Sequence, residues 1–191
     1  MTASRLTAVI LAFGLLPSLA LAHPGHETPG FVAGLLHPLT GLDHLLAILA
    51  VGGWAAATRR AGSWRVPAAF ATGMLAGALL GLAGLRLPAA ELLIALSLLV
   101  FGSLMMLRRT LALAPACVLA GGLALFHGYA HGAELPASAD TVAWLSGMVT
   151  ATVLLHLAGA ALALASRRHP LGLRLAGAAV AAAGGGLLLG L

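Results

Sequence analysis

Two octets carry most of the chemistry in this chain. Residues 37–44 read HPLTGLDH and residues 127–134 read HGYAHGAE, each set among Leu, Ala, Gly and Val. The first holds His37, Asp43 and His44, and the second holds His127, His131 and Glu134. Imidazoles with carboxylates, and no thiolate or thioether among them, suit a borderline divalent ion; Ni²⁺, Co²⁺ and Zn²⁺ all fit. Cu(I) would want Cys or Met, and Ca²⁺ or Mg²⁺ would want more oxygen.

Spacing adds to this. On one continuous helix His37 and His44 are two turns apart and share a face, with Asp43 turned about 100° from His44. His127 and His131 are i,i+4 neighbours, and Glu134 extends their stripe at i+7. Pro38 lacks an N–H and frees the carbonyl of Gly34 if the helix runs through it. Gly41, Gly128 and Gly132 stand beside the polar residues and would let backbones come close.

The elements that must position these residues are set by composition. The 191 residues are 61% hydrophobic and 8% charged, with a mean hydropathy of +1.05. A soluble domain carries about a quarter charged residues, so this chain could not cover its own surface in water. An integral membrane protein is predicted. The net charge is +5 and every basic residue is Arg, but the arginines fall in short clusters between apolar runs. They read as a topology signal and not as a nucleic-acid surface.

Residues 1–22 have a basic start at Arg5, an apolar run from Leu6 to Leu16, and an Ala20-Leu21-Ala22 ending. That is the pattern of a cleavable secretory signal peptide; an uncleaved first membrane helix is the alternative. Cleavage would leave a mature tail, 23–30, containing His23 and His26. His23 with its new α-amine could chelate a metal, His26 standing nearby; the plainer reading is a solvated tail.

The remainder, 31–191, divides into six apolar stretches at about 31–57, 66–85, 89–107, 111–131, 141–165 and 171–190. Each covers a hydrocarbon core of about 30 Å, and lipid requires helices. The predicted fold is therefore all-α, a polytopic protein of six transmembrane helices behind a signal peptide. Pro29, Pro67, Pro88, Pro136 and Pro170 mark helix ends. Gly73, Gly77 and Gly81 have the small-xxx-small spacing of a close helix contact, and Gly184-Gly185-Gly186 would allow another. Cys117 sits in an apolar run and is read as core packing.

With the mature start outside, Arg59, Arg60, Arg65, Arg108, Arg109, Arg167, Arg168 and Arg174 lie at the cytoplasmic ends, as the positive-inside bias requires. Both mature termini are then periplasmic, in a bacterial inner membrane. Trp54, Trp64 and Trp144 fall near span ends and are read as interfacial aromatics.

Ionisable side chains inside spans are functional by default. Both octets then lie at one depth, in the outer half, with His156 somewhat deeper as a second station. Plainer roles stay open: His156 could hydrogen-bond a neighbouring helix, His37 could cap one, Asp43 could pair with a histidine as structural glue, and Glu134 could be a loop residue. Glu91 is a weaker candidate and His169 reads as a loop residue.

At these residues the chain resembles a known family. HPLTGLDHLLAILAVGGWAA is similar to the first signature of the HupE/UreJ family, HPxxGxDHxxxxxxxG, and FHGYAHGAELP to its second, HGxAHGxE. The six-span layout and leader resemble it too, so the likeness covers the whole chain. It implies a secondary permease for Ni²⁺, in some members Co²⁺, serving hydrogenase or urease maturation. It places the ion on His37, Asp43, His44, His127, His131 and Glu134. His156 is in neither signature. No prosthetic group is implied, and the absence of GxxxxGK[ST] leaves no nucleotide step in this chain. An intramembrane metal-dependent hydrolase is the alternative, although HGYAH lacks the Glu of HExxH. A haem-binding electron carrier with axial histidines, and a structural or sensor role, are further readings.

Overall fold

The computed structural model describes residues 30–58, 62–135, 139–168 and 170–190. The predicted leader, His23, His26, Pro29, Arg59, Arg60, Pro136 and His169 lie outside the described residues. Among the described residues the chain is all-α. The helices are α1 (Phe31–Thr40), α2 (Leu42–Thr58), α3 (Arg65–Leu82), α4 (Ala90–Met106), α5 (Leu113–Glu134), α6 (Thr141–Ala165) and α7 (Pro170–Leu189). A 3₁₀ turn, Ser166–Arg168, joins the last two.

Four of these regions, α3, α5, α6 with its 3₁₀ turn, and α7, are long and apolar enough to cross a membrane. The bent pair α1 and α2 makes a fifth if it counts as one span, and α4 is a shorter apolar helix. Their outer faces are apolar too: Leu79, Leu92, Val118, Leu154, Leu157 and Leu175 are all exposed. Such a surface suits lipid and not water.

Local signals explain several boundaries. The Asp140 carboxylate accepts from the N–H of Ala143 at 3.0 Å and starts α6. Pro170 opens α7, where its missing N–H costs nothing. Helix α3 closes on Gly84 at φ +73, with Leu85 N–H donating to the Leu80 carbonyl at 3.2 Å.

The first stretch is not the single helix expected over 31–57. It breaks at Gly41, whose φ of −95° and ψ of 113° are extended, and α1 meets α2 at 88°. Pro38 withholds a backbone donor within α1, and the Thr40 hydroxyl donates to the His37 carbonyl at 2.7 Å. The last turn of α1 is thus satisfied without continuing the helix.

Helices pack in three close pairs: α3 on α5, α4 on α7, and the bent α1–α2 unit on α6. The predicted glycine stripe makes the first. A Cβ added to Gly73, Gly77 or Gly81 would run into the backbone of Gly121, Leu125 or Tyr129. The contact is reciprocal, since Gly128 and Gly132 meet the carbonyls of Met74 and Ala78. Backbone against backbone is how membrane helices gain dispersion energy where lipid removes the hydrophobic drive. Gly184 touches α4 at Leu99 N and Ala95 O, but Gly185 and Gly186 face open space.

The predicted basic ends gather together. Arg109 offers its carbonyl to the Trp54 indole N–H at 2.8 Å, and Arg174 Nε donates to the Met106 carbonyl at 3.3 Å. Glu134 and Asp140 stand at the helix ends away from these, ending α5 and starting α6.

Two tryptophans depart from the interfacial reading. Trp54 is 2% exposed and Trp144 3%, both inside the bundle, whereas Trp64 is exposed. Trp54 is drawn in by its hydrogen bond and by Phe101, 6.2 Å away between ring centres. Cys117 is half-buried and packs against the core, as expected.

Candidate metal centre

The two octets meet. His37 stands near the end of α1, Asp43 and His44 open α2, and His127, His131 and Glu134 line the last two turns of α5. The ring centres of His44 lie 4.6 Å from His127 and 4.1 Å from His131, and His37 lies 4.5 Å from His131. The expectation that His37 and His44 share a face of one helix is replaced by something different. The bend at Gly41 puts them on two helices, and both still reach His131.

Asp43 and His44 form a unit. Asp43 Oδ1 accepts from the backbone N–H of His44 and from its ring Nδ1–H, each at 2.8 Å. A carboxylate can only accept, so the ring carries a proton on Nδ1. Its other nitrogen, Nε2, lies 3.4 Å from the His127 carbonyl oxygen, a contact longer than an ordinary N–H···O hydrogen bond. Gly41 leaves room for the unit: a Cβ there would lie 2.9 Å from Asp43 Oδ1 and 3.1 Å from His44 Nδ1. Asp43 is at the positive end of α2, where a carboxylate is favoured.

Burial is deep. His127 is fully buried and His44, His131 and His156 nearly so. Among the described residues three buried ring nitrogens have no hydrogen-bond partner: His127 Nδ1, His131 Nε2 and His156 Nε2. An unsatisfied buried polar group costs about 1–3 kcal/mol, so three in one bundle call for a reason. Among the described residues no three His, Cys, Asp or Glu side chains converge as a finished ligand set.

Glu134 is at the rim. Its carboxylate is 69% exposed and lies 3.9 Å from His37 Nε2, a loose pair worth little by itself. Glu91 is exposed in the first turn of α4 and touches none of these groups in a hydrogen bond or ion pair.

His156, from α6, is set apart. The fully buried Phe70 ring stands between it and the cluster, 5.7 Å from His127 and 5.2 Å from His156. His156 also lines a cavity of about 340 Å³ with Gly52, Ser63, Trp64 and Pro67, toward the basic end of the bundle.

Three neighbours of the site were not singled out as its parts from the sequence. Trp144 packs its ring 5.0 Å from His37 and 6.3 Å from His131. Phe70 separates the two histidine stations. Ser97, on α4, is fully buried with its hydroxyl 2.8 Å from His127 Nε2. A hydroxyl inside an apolar span was the available signal for Ser97, one it shares with Ser103 of the same helix.

Residues 11–187 match the family described as HupE / UreJ protein. The chain is also 41% identical over 191 residues to Protein HupE of Rhizobium leguminosarum bv. viciae, covering 98% of each sequence. No solved structure matches it. With the family matched over nearly its whole length and both signatures brought together in space, the chain belongs to the HupE/UreJ family.

Proposed function

We propose that this protein is a secondary permease that carries a divalent transition-metal ion, Ni²⁺ or Co²⁺, into the cell for metalloenzyme maturation. The observation that carries the reading is the pair of unpartnered nitrogens, His127 Nδ1 and His131 Nε2, buried beside the His44 ring. Lone pairs without protons are a cost in a sealed core and an asset to a cation. A transported ion must also leave, so donors that stop short of a rigid cage suit a carrier.

The ion exchanges waters for imidazoles of His37, His44, His127 and His131, while Asp43 and Glu134 offset its charge. Asp43 does so through His44, which it orients, as carboxylates commonly do behind metal-ligating histidines. The broken α1–α2 span fits this role, since irregular backbone inside a membrane is tolerated where it lines a site. Release inward passes Phe70 and His156 into the cavity at the basic end. In this topology there are six spans, counting α1–α2 as one, with the basic loops cytoplasmic and both mature termini periplasmic. The protein sits in a bacterial inner membrane, and hydrogenase or urease maturation receives the ion.

No nucleotide step is needed. Each charge gains about 2.3 kcal/mol per 100 mV, so a divalent ion moving inward gains roughly 4.6 kcal/mol. At about 1.4 kcal/mol per decade, that supports accumulation over roughly three decades.

Uptake of radiolabelled Ni²⁺ and Co²⁺ in cells lacking other importers tests the reading. His44→Ala and His131→Ala should abolish uptake with membrane insertion intact, and Glu91→Gln should leave it unchanged. Wild-type rates in both histidine variants would remove the site.

A further inference from the structure

The hydrogen-bond geometry around His127 fixes more than its position. Ser97 lies on α4, 30 positions earlier in the chain, fully buried against the ring. Its hydroxyl has two close partners. One is the Ile94 carbonyl oxygen at 2.7 Å, and the other is His127 Nε2 at 2.8 Å.

A hydroxyl holds one proton, and that proton can serve one strong hydrogen bond. A carbonyl oxygen brings none, so two oxygens at 2.7 Å require the serine proton between them. The Ser97 oxygen is then left with lone pairs toward His127. A second close contact at 2.8 Å demands a proton from the other side, and only Nε2–H can supply it. In a neutral imidazole the other nitrogen is then an acceptor. That nitrogen, Nδ1, is the one buried without a partner.

We propose that Ser97 is a positioning residue for the ion site: it holds the ring proton of His127 on Nε2 and thereby presents Nδ1 as the free donor. The ion's part in this rests on the permease reading above, whereas the tautomer does not. His44 and His127 are then oriented by the same logic with opposite results. Asp43 holds a proton on His44 Nδ1 and turns its Nε2 into the bundle; Ser97 keeps the His127 proton on Nε2 and presents Nδ1. The two buttresses differ in chemistry as well. Asp43 brings a negative charge to the rim side, and Ser97 brings a neutral acceptor where burial is complete and a second carboxylate would be costly.

The test uses the full-length protein in lipid, metal-free, with ¹⁵N-labelled histidine, and assigns the His127 signals by comparison with His127→Gln. Wild type should show a protonated Nε2 and a bare Nδ1. Ser97→Ala should shift His127 toward a mixture of tautomers and weaken Ni²⁺ binding about 10-fold, as loss of an outer partner commonly does. Ser97→Thr keeps the hydroxyl and can still bond its own helix carbonyl, so tautomer and affinity should stay near wild type. A His127 proton found on Nδ1 in the wild type would overturn the proposal. So would a Ser97→Ala protein whose tautomer is unchanged, whatever its affinity. A wild type with the expected, Ser97-dependent tautomer but no affinity for Ni²⁺ or Co²⁺ would sink the permease reading and leave Ser97's hold on the ring standing.

Discussion

Asp43 Oδ1 accepts twice from its immediate neighbour, once from the His44 backbone and once from the His44 ring, both at 2.8 Å. The pair acts as one unit in which the carboxylate fixes where the imidazole points and holds a proton on its Nδ1. It stands where two helices meet at 88°.

Replacing the carboxylate should therefore act through His44. Asp43→Asn keeps an oxygen that can accept both hydrogens but removes the charge, whereas Asp43→Ala removes both. Ni²⁺ uptake should follow the order wild type, Asn, Ala, with the apparent KM of the Ala variant raised about 10- to 100-fold. Equal uptake in the two variants would mean that Asp43 does not act by accepting from the ring.

Glu134 should matter much less than the histidine it faces. The pair is 3.9 Å apart with the carboxylate 69% exposed, and an exposed pair is worth up to about 1 kcal/mol. Glu134→Gln should raise the KM for uptake by no more than about fivefold, an effect that shrinks as salt rises. His131→Ala, by contrast, should abolish uptake. Kinetics of both variants at two ionic strengths check this.

The glycine contacts predict opposite outcomes for residues of one type. Gly77→Val would drive its branch into the Leu125 carbonyl and the Tyr129 backbone. Because those atoms cannot swing away, the cost should exceed the ~1–3 kcal/mol of ordinary overpacking. Little folded protein should be recovered in detergent. Gly122→Ala and Gly185→Ala meet nothing within 4 Å and should keep the wild-type thermal midpoint and yield.

Phe70 is the ring that divides His127 from His156. Phe70→Leu preserves much of its volume but not its breadth, and Ni²⁺ efflux from loaded proteoliposomes without a membrane potential should rise. Phe70→Ala should raise it further, at a stability cost of about 3–5 kcal/mol. Unchanged efflux in both would place the ion's route elsewhere.

Much of this site was legible in the amino-acid order because lipid makes polar residues conspicuous. Six ionisable side chains in two octets, within spans of matching depth, had few ways to be satisfied except by meeting. The break at Gly41 was not legible, because one glycine in an apolar run is tolerated in a helix and only packing against α6 decides whether the chain turns. Trp54 and Trp144 were misread for a related reason. A tryptophan near a span end can lie at the headgroups or point inward, and the choice belongs to its partners, Arg109 for one and His37 for the other. Ser97 was missed because its partner is 30 residues away on another helix. The leader and the N-terminal histidines stay sequence-based expectations.

On the permease reading, the interlock between α3 and α5 bears on how the bundle can move. Carbonyls of each strut sit in notches left by the missing side chains of the other, from Gly73 to Gly132. Struts meshed in this way cannot creep past one another by fractions of a turn, so they travel in unison. The bent α1–α2 unit is meshed with α6 in the same manner, Gly34 and Gly52 against the carbonyls of Trp144 and His156, and Gly147 and Gly159 against those of Phe31 and Leu49. On the permease reading, any displacement that opens the site to one side and then the other therefore falls between these paired units and not within one. A crosslink stapling α3 to α5 should then leave transport running, and one tying α5 to α2 across the two units should halt it.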